Sequence, residues 1–198
     1  LRRAAGFAPL SVTEKGPTEI DKSLAARLLP LATAGVYSAA ARIVNAVNVP
    51  VVAMIQSALP TLFAQSRQAA GIQPKMLVAM FGATFVYSSG AAFAMWLFVP
   101  MIAWMLGDAY TGIGEALGLL CLAIPGTTLR LTSGAVLIAR HQPWARVFNE
   151  ASGVVVVIVA AIVLAPKYGI IGMIGAYVAA EWMMAVIATG LVIRHRAS

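Results

Sequence analysis

Charge is scarce in this chain. Only 11 % of its 198 residues are Asp, Glu, Lys or Arg, where a soluble domain carries roughly 25 %. Hydrophobic residues make up 61 % and the mean hydropathy is +0.87. A water-facing fold of this size has no room to hide that much apolar surface, so a soluble globular domain is excluded. Cysteine is nearly absent: Cys121 is the only one, which excludes an intramolecular disulfide. His141 and His195 are the only histidines, and no zinc-type ligand spacing exists, so neither a metal site nor a cofactor is expected. No cleavable signal peptide is visible. The chain starts at Leu1 inside a basic patch and reads as a fragment of a longer protein.

What is present is a series of long apolar segments. A bilayer-spanning helix needs about 20 largely apolar residues. Six segments qualify, at about 6–28, 33–66, 75–106, 110–140, 143–165 and 170–194. They lack the period-two alternation of strands, and lipid cannot satisfy an open sheet edge. The expected fold class is all-α, a polytopic transmembrane bundle of about six helices forming a single domain over 1–198. The gaps are too short for a soluble domain, so function is expected within the bundle.

The few charges alternate between gaps. Arg2 and Arg3, then Arg67 and Lys75, then Arg140, His141 and Arg146, then Arg194, His195 and Arg196 mark every second one. The gaps between them, near residues 29–32, 107–109 and 166–169, hold little basic charge. Only Arg27 and Lys167 lie near them. Basic residues remain on the cytoplasmic face during insertion, so both ends, including the C-terminus, are expected there. The net charge of +7 then calls for anionic lipid headgroups, with the lipid bilayer as partner and no nucleic acid.

Charges inside the apolar segments are costly, about 2.5–3.5 kcal/mol each at mid-membrane on insertion scales, and mark functional candidates. The first segment holds Glu14, Lys15, Glu19, Asp21, Lys22 and Arg27. Lys15, Glu19 and Lys22 share a helix face. Either this segment crosses the membrane facing a cavity, or residues 1–20 form an amphipathic approach and only five spans exist. In the second segment, Ser38, Arg42, Asn45 and Gln56 fall on one face. Arg42 lies roughly 13 Å from the outer end at the helical rise. It needs an anion, water, or an ion pair with Asp21 or Glu19. Arg130 lies within the fourth segment, either facing a cavity or snorkelling toward the cytoplasmic interface. Glu181 is central in the sixth, as a pairing or proton-titrating group. Glu150 lies close enough to the cytoplasmic interface to need no functional account.

Proline and glycine add mechanical candidates. Pro50 and Pro125 are expected to bend their helices, as static kinks or moving hinges. Gly169, Gly172 and Gly175 recur every third residue and are expected to allow close helix packing. Trp104 and Trp144 lie near expected interfaces, where indole is favoured. A cavity carrying Lys15, Lys22, Arg42 and Arg130 suits an anionic cargo, because the guanidinium fork fits phosphate.

The stretches EIDKSLAARL and AGVYSAAARIVNAVNVPVVAMIQSALPTLF resemble the middle of polysaccharide (O-antigen type) flippases of the multidrug/oligosaccharidyl-lipid/polysaccharide exporter superfamily. PMIAWMLGDAYTGIGEALGLLCLAIPG, LIARHQPWARVFNEASGVVVVIV and APKYGIIGMIGAYVA extend the resemblance from about residue 5 onward. It implies a twelve-to-fourteen-helix transporter of two pseudo-symmetric halves, of which this chain is the C-terminal six-helix half. It also implies movement of an undecaprenyl-pyrophosphate-linked oligosaccharide across the bacterial inner membrane by alternating access. The implied partners are that lipid-linked anionic oligosaccharide, the missing N-terminal half, and a polysaccharide polymerase and glycosyltransferases. The Asp21-Lys22 pair and Arg42 match the family's recurrent positions best. Substrate-binding candidates are therefore Lys15, Lys22, Arg42, Asn45 and Arg130. Coupling or ion-pair candidates are Glu19, Asp21 and Glu181, and hinge candidates are Pro50 and Pro125. The alternative on the same fold is a cation-coupled multidrug exporter, for which the carboxylates leave room. A membrane enzyme is not expected, because both histidines lie in basic gaps without acidic neighbours and no catalytic cluster forms.

Overall fold

In hydrocarbon each backbone N–H and C=O needs a partner within its own segment, and the chain meets that demand with helices. The computed structural model describes residues 20–68, 71–107 and 110–194. Residues 20–28 are helical (α1), followed by α2 (Leu31–Val47), α3 (Val49–Ser66) and α4 (Pro74–Leu106). Then come α5 (Ile113–Leu120), α6 (Ala123–Ala139) and α7 (Pro143–Arg194). No strand occurs among the described residues, and the fold is an all-α helical bundle. Leu31–Ser66, Pro74–Leu106 and Pro143–Arg194 are long and apolar enough to cross a membrane. α5 and α6, bent by 40°, make a fourth such stretch when taken together.

α7 is not one rod. Its 52 residues would extend about 78 Å at the helical rise. Glu150 and Glu181 would then stand about 46 Å apart, yet both bond to Arg130. The chain reverses at Gly169, whose φ of 58° and ψ of −133° lie outside the helical region. Pro166 precedes the reversal, and glycine is the residue that takes this positive φ without strain. The three spaced glycines do different things. Gly169 makes the turn, while a Cβ on Gly172 would collide with the Leu164 carbonyl across it. Gly175 faces open space, so the expectation of one shared packing role for all three does not hold. Further along the two arms, a Cβ on Gly153 would collide with the Met184 side chain.

The proline candidates sit at helix breaks, each offset toward the N-terminus. A proline removes the bond to the carbonyl four residues back and crowds it. For Pro125 that carbonyl belongs to Cys121, and the 40° break falls at Cys121–Leu122. The Cys121 carbonyl accepts from the Ile124 N–H at 3.2 Å, and the neighbouring Leu122 carbonyl accepts from Trp182 Nε1 at 2.9 Å. For Pro50 the break falls at Asn48, between α2 and α3. There the Val47 carbonyl accepts from the Tyr87 hydroxyl at 3.4 Å. An aromatic donor from another helix re-satisfies the backbone at both breaks, as membrane helices require.

α6 is the axis of the bundle, with 13 of its 17 residues buried. Around it the gaps sort by charge. At one end, the Arg140 guanidinium donates to the Val192 carbonyl at 2.7 Å. Ile72 and Ala145 pack there against Leu77, Val136 and Val192. At the other end, Leu31, Tyr110, Gly112 and Ile170 line a common pocket. Among the described residues, the basic gaps near 67–75 and 140–146 and the end of α7 thus share one end of the molecule, and the gaps with little basic charge share the other.

Candidate functional site: a buried charge cluster and an exposed polar face

Arg130 projects from α6 and is 3 % exposed. Its Nη1 donates to both Glu150 carboxylate oxygens, at 2.7 and 2.6 Å. Its Nε donates to Glu181 Oε2 at 2.8 Å and its Nη2 to Oε1 at 3.3 Å. Glu150 is on the first arm of α7 and Glu181 on the second, and both are buried. One guanidinium therefore ties three helical elements, with its planar fork engaged by two carboxylates. Glu150 corrects the expectation above. It does not face an interface but is a full partner of Arg130. Arg130 itself neither snorkels nor stands free in a cavity.

The arms bring the two glutamates level. Glu150 lies 16 residues before Pro166 and Glu181 12 residues after Gly169, a mismatch of about one helical turn. Arg146, one turn before Glu150, is also buried, and its Nε would lie 3.1 Å from a Cβ on Gly134. Position 134 is thus held small by the arginine crossing it.

A second acidic group lies beside this cluster. Asp21, on α1, is 2 % exposed, and its Oδ2 accepts from the Tyr37 hydroxyl at 2.7 Å. Asp21, Tyr37 and Tyr177 all lie close enough to Glu181 to interact with it electrostatically, and Arg130 acts on Tyr177. Lys22, half-buried, adds its charge next to Asp21. The interior therefore gathers Glu150 and Glu181 around Arg130, with Asp21 and Tyr37 on the Glu181 side and Lys22 beside Asp21. A hydroxyl ladder extends it along α6. Thr132 bonds to Thr84 of α4 at 3.2 Å, and Ser133 to Thr189 of the second arm at 3.1 Å.

Arg42 is placed differently. α2 buries Tyr37, Ala40, Ala41 and Val44, which turns Arg42 outward, where it is exposed. Asp21, one of its possible partners, is bonded to Tyr37 instead. Among the described residues no carboxylate lies within ion-pair distance of Arg42. Asn45 is half-buried and Gln56 exposed. With Ala46, Ala53, Ser57 and Thr61 they form a stripe of small and polar residues along the outer side of α2 and α3. Lys15 and Glu19 lie outside the described residues. No group of three or more His, Cys, Asp or Glu side chains is arranged to hold a metal ion among the described residues.

Sequence reasoning singled out Arg130 and Glu181 separately but missed Glu150 and Tyr37. The available signal for Glu150 was the PKYG gap: a reversal there places residues about equally distant from it side by side. No family model, curated protein or solved structure matches this chain.

Proposed function

We propose that this chain is part of a transporter that moves a lipid-linked, pyrophosphate-bearing oligosaccharide across the bacterial inner membrane, with its C-terminus cytoplasmic. The observation that carries the proposal is the exposed stripe of α2 and α3. A membrane-length helix that faced only lipid would present bulky apolar side chains there. This one presents Arg42, Gln56, Ser57 and Thr61, with half-buried Asn45, among exposed Val49, Val52 and Met54. Among the described residues no carboxylate pairs with Arg42, and an anionic cargo suits an exposed guanidinium on a membrane-length helix. The resemblance to O-antigen type flippases supports the same cargo. The Arg130 cluster then acts as the rigid wall behind the cavity, since its guanidinium is already occupied. Lys22 and Arg42 remain the cargo-binding candidates. Alternating access would involve the breaks at Pro50 and Pro125.

The orientation rests on the basic end of the bundle, which positive-inside insertion assigns to the cytoplasm. A polysaccharide polymerase and glycosyltransferases would be the functional neighbours. The test is Arg42→Gln and, separately, Lys22→Gln in the full-length protein. The expected result is loss of glycan translocation at unchanged expression. Transport at the unmodified level in both variants would sink the proposal.

One observation favours the second reading, a cation-coupled multidrug exporter. Three buried carboxylates, Asp21, Glu150 and Glu181, lie in the interior, groups of the kind that hold a proton or a cationic drug. Drug efflux by the complete protein, with no glycan defect on deletion, would decide for it.

A further inference from the structure

A groove of about 1070 Å³ opens on the side of the bundle between α4, the α5–α6 break and the second arm of α7. Phe93, Trp96, Leu97, Leu119, Leu122 and Trp182 form most of its walls. It does not touch the Arg130 cluster or the polar stripe of α2 and α3. At the start of α5 it meets a second pocket of about 400 Å³, at the end of the bundle with little basic charge. That pocket is lined in part by Thr33, Tyr110 and Thr111, and the two cavities share Glu115. Glu115 is exposed, and among the described residues it is the only charged one in either lining.

We infer that these joined cavities bind one membrane phospholipid with an ammonium-bearing, ethanolamine-type headgroup. The apolar groove lies within the helices that cross the membrane, so the medium available to fill it is hydrocarbon. An acyl chain there covers Trp96, Leu97 and Leu122, and its glycerol end emerges beside Glu115. The second pocket sits where the headgroup region begins. The carboxylate of Glu115 attracts an ammonium. The hydroxyls of Thr33, Thr111 and Tyr110 are donors suited to a phosphodiester. No Lys or Arg lines either cavity among the described residues, so an anionic headgroup finds no partner. This sign of charge separates the site from the cargo-binding stripe, which presents Arg42.

The test uses the full-length protein in nanodiscs of phosphatidylethanolamine and phosphatidylglycerol in equal parts, followed by native mass spectrometry of the lipids it retains. One retained lipid per protein, enriched in phosphatidylethanolamine, is expected. Glu115→Gln should reduce that enrichment by up to about fivefold, the upper end for an exposed ion pair, without lowering total lipid retained. Ala92→Phe, which fills the groove, should remove retention of both lipids. Because Glu115 is exposed, its variant keeps the test valid even where Ala92→Phe fails to fold. Equal retention of the two headgroups, an enrichment unchanged by Glu115→Gln, or a polyprenyl lipid in the groove instead would each overturn the inference.

Discussion

Arg130 and Arg42 are the same residue type, each set inside an apolar 17-residue helix, and the molecule treats them in opposite ways. Arg130 is enclosed by two glutamates from the two arms of α7. Arg42 is turned out of the bundle with no carboxylate beside it among the described residues. Depth within an apolar segment therefore identifies a costly charge but not its role. The role follows from what the fold brings to it. A buried ion pair is weak evidence of net stabilisation, because desolvation of both ions offsets their attraction. It does make the arrangement intolerant of losing one member. The exposed arginine is bound by no such pair among the described residues.

The contrast is sharpest in substitutions. Glu181→Ala leaves the buried Arg130 fork half-occupied. It should lower the stability of the purified protein by about 3–5 kcal/mol, read as a large drop in the thermal unfolding midpoint. Replacing Arg130, Glu150 and Glu181 together with Met, Leu and Leu should recover most of that loss. A triple variant as unstable as Glu181→Ala would show that the cluster contributes through more than charge pairing. Next in size is Trp182→Phe, which strips the donor from the Leu122 carbonyl at the α5–α6 break. The bond is exposed, so its loss should cost about 0.5–1.5 kcal/mol, the net worth of a typical hydrogen bond. Hydrogen exchange of the amides at 121–126 should speed up locally, whereas unchanged exchange would show that Pro125 alone holds the bend. The smallest stability effect belongs to Arg42→Gln, within about 0.5 kcal/mol of the parent. An unfolding midpoint that falls as far as for Glu181→Ala would give Arg42 a buried partner and erase the contrast.

The exposed surfaces repeat the lesson on a larger scale. α4 presents Val86, Phe93, Trp96, Leu97, Phe98, Met101 and Trp104 outward, which suits contact with lipid chains. α2 and α3 present Arg42, Gln56, Ser57 and Thr61. Trp104 and Trp144, expected near interfaces, are 82 % and 74 % exposed, as an amphipathic ring at a headgroup boundary should be.

Much of the fold was legible before any coordinates. Apolar runs long enough to span hydrocarbon admit only helices, and the alternation of basic gaps corresponds to two real ends of the bundle. The proline positions were legible too, although their breaks were not. Proline acts on the carbonyl four residues earlier, so the bends fall at Asn48 and Cys121–Leu122 rather than at Pro50 and Pro125. The candidate site was legible in parts. Arg130, Asp21 and Glu181 stand out because charge is rare in these segments. Glu150 did not, because distance from a helix end measures depth only for a residue that faces outward. Its burial depends on a partner 20 residues earlier, across a helix-to-helix connection. Nor did the sequence show which way Arg42 points, since the polar periodicity of α2 fixes a shared face but not whether it looks inward. That choice was made by Tyr37, which turns inward to reach Asp21.

The Arg130 cluster also has a consequence for the order of events at the ribosome. Its partners lie 20 and 51 residues downstream. At synthesis rates of about 5–20 residues per second, Glu181 follows Arg130 by roughly 3–10 s. For that interval α6 carries a charge whose counter-ions are not yet all made. The α6 segment should therefore linger beside the insertion machinery until the second arm of α7 emerges and folds back at Gly169. The reversal that completes the bundle would then also release its central helix into the bilayer.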